Sequence, residues 1–169
     1  MSEVDLQSRA QVLAEELIRL LHAGSHSLVV AESCTAGIVS SLLARIPGAS
    51  AVLWGSFVCY TREAKQSMLG LDPRRLGRFG LVSGETVCDM AVGALEKSGA
   101  SVAAAVSGLA GPDGDGSKVP VGTVWVAAAL RGKGITGVRE FHFSGSRNEI
   151  RLKAALAVLE ITQKAAETT

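Results

Sequence analysis

Ser27-Leu28-Val29-Val30-Ala31-Glu32-Ser33-Cys34-Thr35-Ala36-Gly37 is the stretch that decides how this chain is read. Its first part, SLVVA at 27–31, is a short β-branched run of the kind that forms a strand buried on both faces. The run passes into a polar turn, Glu32-Ser33-Cys34-Thr35, and then into a helix expected from about 36 to 45 and ended by Pro47-Gly48. A strand that hands over to a helix through a polar turn is a building unit of α/β domains. The turn then lies at the strand's carboxyl end, where open α/β sheets gather their ligands.

Upstream, residues 5–22 repeat Leu6, Ala10, Leu13, Leu17 and Leu21 at three- and four-residue steps, which predicts an amphipathic helix stopped by Gly24. Downstream, AVLWGSFVC at 51–59 predicts a second strand, residues 61–69 a short helix closed by Gly70, and residues 84–97 a longer helix ended by Gly99. Pro73 is read as a break, with 74–82 a basic, irregular connector. SVAAAV at 101–106 predicts a third buried strand, followed by a Gly-, Asp- and Pro-rich loop at 107–121. Residues 122–130 and 135–143 flank Arg131-Gly-Lys-Gly134 and predict a hairpin; a last helix runs from about 146 to 165. Strands alternating with helices, followed by a hairpin and a helix, predict an α/β fold: a three-layer α/β/α sandwich with a mixed sheet, occupying residues 1–169 as a single domain.

Composition narrows the function. With 47% hydrophobic and 20% charged residues, the chain is that of a folded globular domain. Seventeen basic against 16 acidic residues leave a net charge of +1, which provides no electrostatic footprint for nucleic acid or an anionic membrane. Aromatic residues, at 4%, are too few for a base-stacking surface. No apolar run reaches 18 residues, and the acids Glu3, Asp5, Glu15 and Glu16 exclude a secretory signal at the start. Three cysteines, Cys34, Cys59 and Cys88, fit no zinc spacing and predict reduced thiols in a cytoplasmic protein. The three histidines, His22, His26 and His142, have no acid or thiol at ligand spacing, so no metal site is expected.

Four segments carry side chains suited to chemistry. Ser33 and Thr35 lie where a strand meets a helix, and two roles are open: capping the helix, or presenting a hydroxyl beside backbone amides that hold an anion. Cys34 is either a buried thiol or itself a nucleophile. Tyr60-Thr61-Arg62-Glu63-Ala64-Lys65 follows the second strand; a desolvated lysine can serve as base to a hydroxyl nucleophile, and a tyrosine can relay the proton. In the loop SGLAGPDGDG at 107–116, Ser107, Gly108 and Gly111 bring backbone groups that can wrap a ligand. Asp113 and Asp115 do not begin a calcium loop, since Val124 stands where a glutamate is required. Arg147 and Arg151, one turn apart on the last helix, form a pair that can clamp a phosphate. The first three segments all follow strands, which predicts that they converge.

Together these segments resemble the CinA C-terminal domain family. The resemblance is carried by AESCTAG at 31–37, YTREAK at 60–65, Leu69-Gly70, VSGETV at 82–87, SGLAGPDG at 107–114, PVGTVWVA at 120–127, and Arg147 with Arg151. It covers roughly residues 10–162, and the order and spacing of the segments make it specific. It implies hydrolysis of the carboxamide of nicotinamide mononucleotide to the nicotinate nucleotide and ammonia, in pyridine-nucleotide salvage. It implies Ser33 as nucleophile, Tyr60 and Lys65 as the proton-handling pair, and no cofactor. Substrate contacts are expected from Cys34, Thr35, Ala36, Gly37, Ser107, Gly108, Gly111, Arg147 and Arg151. The partner implied is a small-molecule nucleotide, with a homo-oligomer expected and no nucleic acid or membrane. Longer family members carry a further N-terminal domain, so a chain of 169 residues is expected to be a stand-alone form. The chain departs from the family run at Ala36, where Gly is usual, at Arg62, where Asn is common, and at Asp113, where Gly is common. Two other readings of the same residues remain: a non-catalytic nucleotide-sensing or protein-interaction module, and a cysteine-based enzyme using Cys34.

Overall fold

The computed structural model of the protein describes residues 3–168. Helix α1 (Glu3–Ala23) leads into strand β1 (Leu28–Glu32), helix α2 (Ile38–Ala44), a 3-10 turn at Ala49–Ala51 and strand β2 (Leu53–Val58). Three helices follow, α3 (Arg62–Leu69), α4 (Pro73–Phe79) and α5 (Gly84–Ser98), before strand β3 (Val102–Gly108). Strands β4 (Thr123–Leu130) and β5 (Gly134–His142) form a hairpin, and α6 (Arg147–Ala166) ends the fold.

The five strands form one sheet in the order β2-β1-β3-β4-β5. Strand β1 pairs in parallel with β2 on one side and β3 on the other, while β3–β4 and β4–β5 are antiparallel. The sheet is therefore mixed, as the sequence predicts. Every residue of β1, and all but the last of β3, is buried, because helices cover both faces. Leu28, Val30, Val102, Ala104, Val106, Val124 and Val126 point to the side packed by α1, α2 and α6. Val29, Ala31, Ala103, Ala105, Ala127 and Ala129 point to the side packed by α3, α4 and α5. Small alanines on that second side let α5 lie close to the sheet. Gly93 of α5 is needed where that helix meets the end of α3, since a Cβ on it would stand 2.4 Å from the Leu69 carbonyl oxygen.

Two expectations are corrected. Residues 74–82 are not an irregular connector: Pro73–Phe79 is helix α4. Asp72 caps it by accepting from the Arg74 amide, Pro73 takes the first turn where its missing N–H costs nothing, and buried Leu76 pins it to the core. The helix after the polar turn begins at Ile38 rather than at 36, because Ala36 and Gly37 both hold left-handed backbone, with φ of 49° and 94°.

The topology sets the location of a site. From β1 the chain leaves over one face through α2 to reach β2, and it returns over the other face through α3, α4 and α5 to reach β3. The connections diverge between β1 and β3, and such a switch point opens a crevice at the carboxyl ends of the strands.

Candidate active site

At that end of the sheet lies a cleft of about 220 Å³ lined by residues from all three parallel strands' exits. Ser33 and Cys34 come from the end of β1, Tyr60 and Lys65 from beyond β2, and Ser107 and Gly108 from the end of β3, with Arg147 of α6 at the edge. The three segments singled out in the sequence thus meet, as their positions after strands predict.

The central contact is between Lys65 and Ser33. Lys65 is fully buried, and its Nζ lies 2.9 Å from Ser33 Oγ, to which it donates, and 2.8 Å from the Cys59 carbonyl oxygen. Thr61 caps α3 by accepting from the Ala64 amide, which fixes the first turn and turns Lys65 inward. No carboxylate pairs with Lys65 among the described residues. Burial therefore dominates and holds its pKa below the ordinary value of 10.5, favouring the neutral amine. A neutral lysine beside a serine hydroxyl is a base beside a nucleophile.

Ser33 does not cap a helix. Gly37 occupies the N-cap position of α2 with no side-chain cap, and the orphan amides of that helix are served by Glu32, a residue outside the expected site. The fully buried Glu32 carboxylate accepts from the Gly37, Val39 and Ser40 amides and from the Thr35, Ser40 and Ser56 hydroxyls, at 2.8–3.2 Å. The signal was present in the sequence: an acid ending an otherwise apolar strand, followed by a helix whose orphan amides it can satisfy.

This changes the expected amide cradle at 34–37. The Ala36 amide donates to the Ser33 carbonyl and the Gly37 amide to Glu32, which leaves those of Cys34 and Thr35. The Thr35 side chain is corrected too: it is buried and donates its hydroxyl to Glu32, so it offers nothing to a ligand. Ala36 and Gly37 do not line the cleft; they face a second groove, of about 460 Å³, on the other side of the turn. Cys34 borders the cleft, but burial pushes its thiol up to about 12, so it is protonated near neutral pH and a poor nucleophile.

The arginines do not act as a pair. Arg151 lines the second groove and donates from Nε to the Cys34 carbonyl at 3.0 Å and from Nη2 to the Thr35 carbonyl at 2.9 Å. Arg147 borders the Ser33 cleft, donating from Nη2 to Tyr60 Oη at 2.8 Å and from Nη1 to the Gly111 carbonyl. Tyr60 is half-exposed at the mouth, and its hydroxyl is bonded to Arg147 rather than to Ser33 or Lys65. Ser107 donates to the Leu81 carbonyl at 2.7 Å. Gly108 is required by packing, as a Cβ there would lie 2.7 Å from Val124 Cγ2. Among the described residues no three His, Cys, Asp or Glu side chains gather as a metal site, and no helix is long and apolar enough to cross a membrane.

Comparison with known proteins gives one consistent result. The sequence pattern of the CinA C-terminal domain matches residues 10–166. The chain is 42% identical over 154 residues to the nicotinamide-nucleotide amidohydrolase PncC of Escherichia coli (strain K12), covering 90% of this chain and 92% of that one. It is 41% identical over 152 residues to a CinA-like protein of Thermotoga neapolitana, of which it spans 36%. The crystal structure of the competence/damage inducible protein CihA from Agrobacterium tumefaciens superposes with a TM-score of 0.89 at 38% identity, over 94% of this chain and 96% of the other.

Proposed function

The chain belongs to the CinA C-terminal domain family, and from that premise we propose that it is an amidohydrolase that deamidates nicotinamide mononucleotide, with Ser33 as nucleophile and Lys65 as its base. The observation that carries the reading is the 2.9 Å contact of a buried, carboxylate-free Lys65 with Ser33 Oγ at the floor of a cleft. In this reading neutral Lys65 takes the Ser33 proton as Oγ attacks the carboxamide carbon. The carbonyl oxygen becomes an oxyanion and is held by the free amides of Cys34 and Thr35, a contact of a kind worth roughly 2.7–4 kcal/mol. Lys65, now protonated, passes its proton to the departing nitrogen, and ammonia leaves. The ester on Ser33 is cleaved by water, which gives its proton to Lys65; collapse of that second adduct returns the proton to Ser33 and frees the carboxylate.

At about 220 Å³ the cleft is smaller than the roughly 300–1,000 Å³ typical of pockets that enclose a whole drug-sized ligand. It suits the planar pyridine carboxamide, with the ribose phosphate leaving through the mouth. There Arg147 is the cation placed to receive the phosphate, and Tyr60, already bonded to it, borders the sugar. Tyr60 is accordingly assigned to the mouth, and the proton transfer at Ser33 to Lys65.

The test is ammonia release from nicotinamide mononucleotide by the purified protein. Turnover that falls at least about 10³-fold in Ser33→Ala is expected. Full release by that variant removes the serine mechanism. Nucleotide affinity without any turnover in the unaltered protein favours a sensing or interaction module on the same fold.

A further inference from the structure

The nucleophile turn is held from behind. Its three successive carbonyls, those of Ser33, Cys34 and Thr35, are all engaged: the first by the Ala36 amide at 3.0 Å, the other two by the single guanidinium of Arg151, with the Ile38 amide also reaching the Thr35 carbonyl at 3.2 Å. Arg151 reaches them from the 460 Å³ groove, whose lining shares no residue with the Ser33 cleft. In a trans peptide the C=O and the N–H point in opposite directions. A carbonyl drawn toward Arg151 therefore turns the amide of the same peptide away from it. The peptide of the Cys34 carbonyl carries the Thr35 amide, and that of the Thr35 carbonyl carries the Ala36 amide, which closes the turn on Ser33. The Thr35 amide donates to no other group among the described residues, the Cys34 amide faces only its own thiol, and those of Ala36 and Gly37 are already bonded.

Resting on the amidase reading above, we propose that Arg151 is a positioning residue. Its planar fork holds the Cys34 and Thr35 carbonyls and polarises the 34–35 peptide so that the Thr35 amide meets the oxyanion, beside a Cys34 amide set by the Ser33 carbonyl's bond to Ala36. A guanidinium suits this task because its Nε and Nη2 donors lie in one plane with fixed spacing, matching two adjacent carbonyls; an ammonium offers one point of attachment. A cation on a carbonyl also draws electron density along the peptide and strengthens the N–H donor at its other end. Oxyanion contacts form as charge develops, so the effect falls on kcat rather than on substrate affinity. The phosphate of the substrate takes no part, which separates this role from a phosphate clamp.

The experiment compares the unaltered protein with Arg151→Lys and Arg151→Ala on nicotinamide mononucleotide and on nicotinamide riboside, which lacks the phosphate. The expected result is a kcat lowered by roughly 10²-fold in Arg151→Ala and less in Arg151→Lys. KM should stay within about threefold, with the same ratio on both substrates. Added millimolar guanidinium should restore part of the Arg151→Ala rate. A rise in KM confined to the phosphorylated substrate overturns the proposal in favour of phosphate binding, and unchanged kcat overturns it outright. Should both variants lose their fold by circular dichroism, Arg151 is a folding clamp and the proposal fails. If the unaltered protein releases no ammonia from either compound, it is the amidase reading that fails, a result distinct from normal turnover in the variants.

Discussion

Lys65 is the residue on which pH should act. Burial lowers its pKa, so between that lowered value and the ordinary 10.5 the folded protein holds a neutral amine while the unfolded chain holds a charged one. The unfolded state then binds more protons, and stability rises with pH across that window. Below the lowered value both states are protonated, and the folded state bears a buried, unpaired cation. Activity follows the same ionisation, because only the neutral amine accepts the Ser33 proton. We expect kcat/KM to climb from acid pH along a limb of unit slope and to level off once Lys65 is neutral. Stopped-point ammonia assays across pH check this; a flat acid side would remove Lys65 as the base. Glu32 operates at the same scale by different means. Its carboxylate occupies the amides that otherwise form an anion site at the start of α2, which confines the free donors to Cys34 and Thr35.

The element that matters most is the turn between β1 and α2. Ala36 sits there with φ of 49°, a left-handed conformation that costs an L-residue about 1–2 kcal/mol. Its side chain is exposed and gains no packing in return. Ala36→Gly should therefore stabilise the protein by about 0.5–1 kcal/mol, once the greater unfolded-state entropy of glycine is subtracted. Thermal unfolding should shift upward by roughly 1–4 °C. A lower melting temperature would mean that the turn gains more from the restricted unfolded chain than it loses to strain. The family's usual glycine at this position has a physical reason here, which the sequence alone could not supply because it assigned Ala36 to a helix. Helix α4 was hidden for a related reason. Pro73 reads as a breaker, yet a proline at the first turn starts a helix as readily as it ends one, and Leu76 supplies the buried anchor.

At the scale of the molecule, the cleft draws its walls from the exits of β1, β2 and β3 and from α6, so ligand binding ties together segments far apart in the chain. A nucleotide that binds only the folded state should stabilise all of them at once. In Ser33→Ala, which binds without turning over, free nucleotide at 100 times Kd should add about 2.7 kcal/mol. For a chain of 169 residues that corresponds to a rise in Tm of roughly 5–10 °C. Differential scanning fluorimetry measures it, and no shift at saturating nucleotide would argue against this cleft as the binding site.

Much of the molecule was legible in residue order alone. Apolar runs at 27–31 and 101–106 mark strands covered on both faces, the breaks at Gly70 and Gly99 mark helix ends, and the polar segments following three strands mark one working edge. Those features are local, and local periodicity and turn chemistry are written along the chain. Direction and partnership are not. Whether Arg147 and Arg151 act together depends on which groove each helix face meets: one turn of α6 sends them to opposite sides of the nucleophile turn. Whether the amides at 34–37 are free depends on where the Glu32 carboxylate points, which follows from its place on the α2 side of the sheet. Tyr60 stands five residues from Lys65 in the chain, yet its hydroxyl bonds to Arg147, 87 residues away. Hydrogen bonds of this kind join groups across the fold, and only the packed structure decides which donor reaches which acceptor.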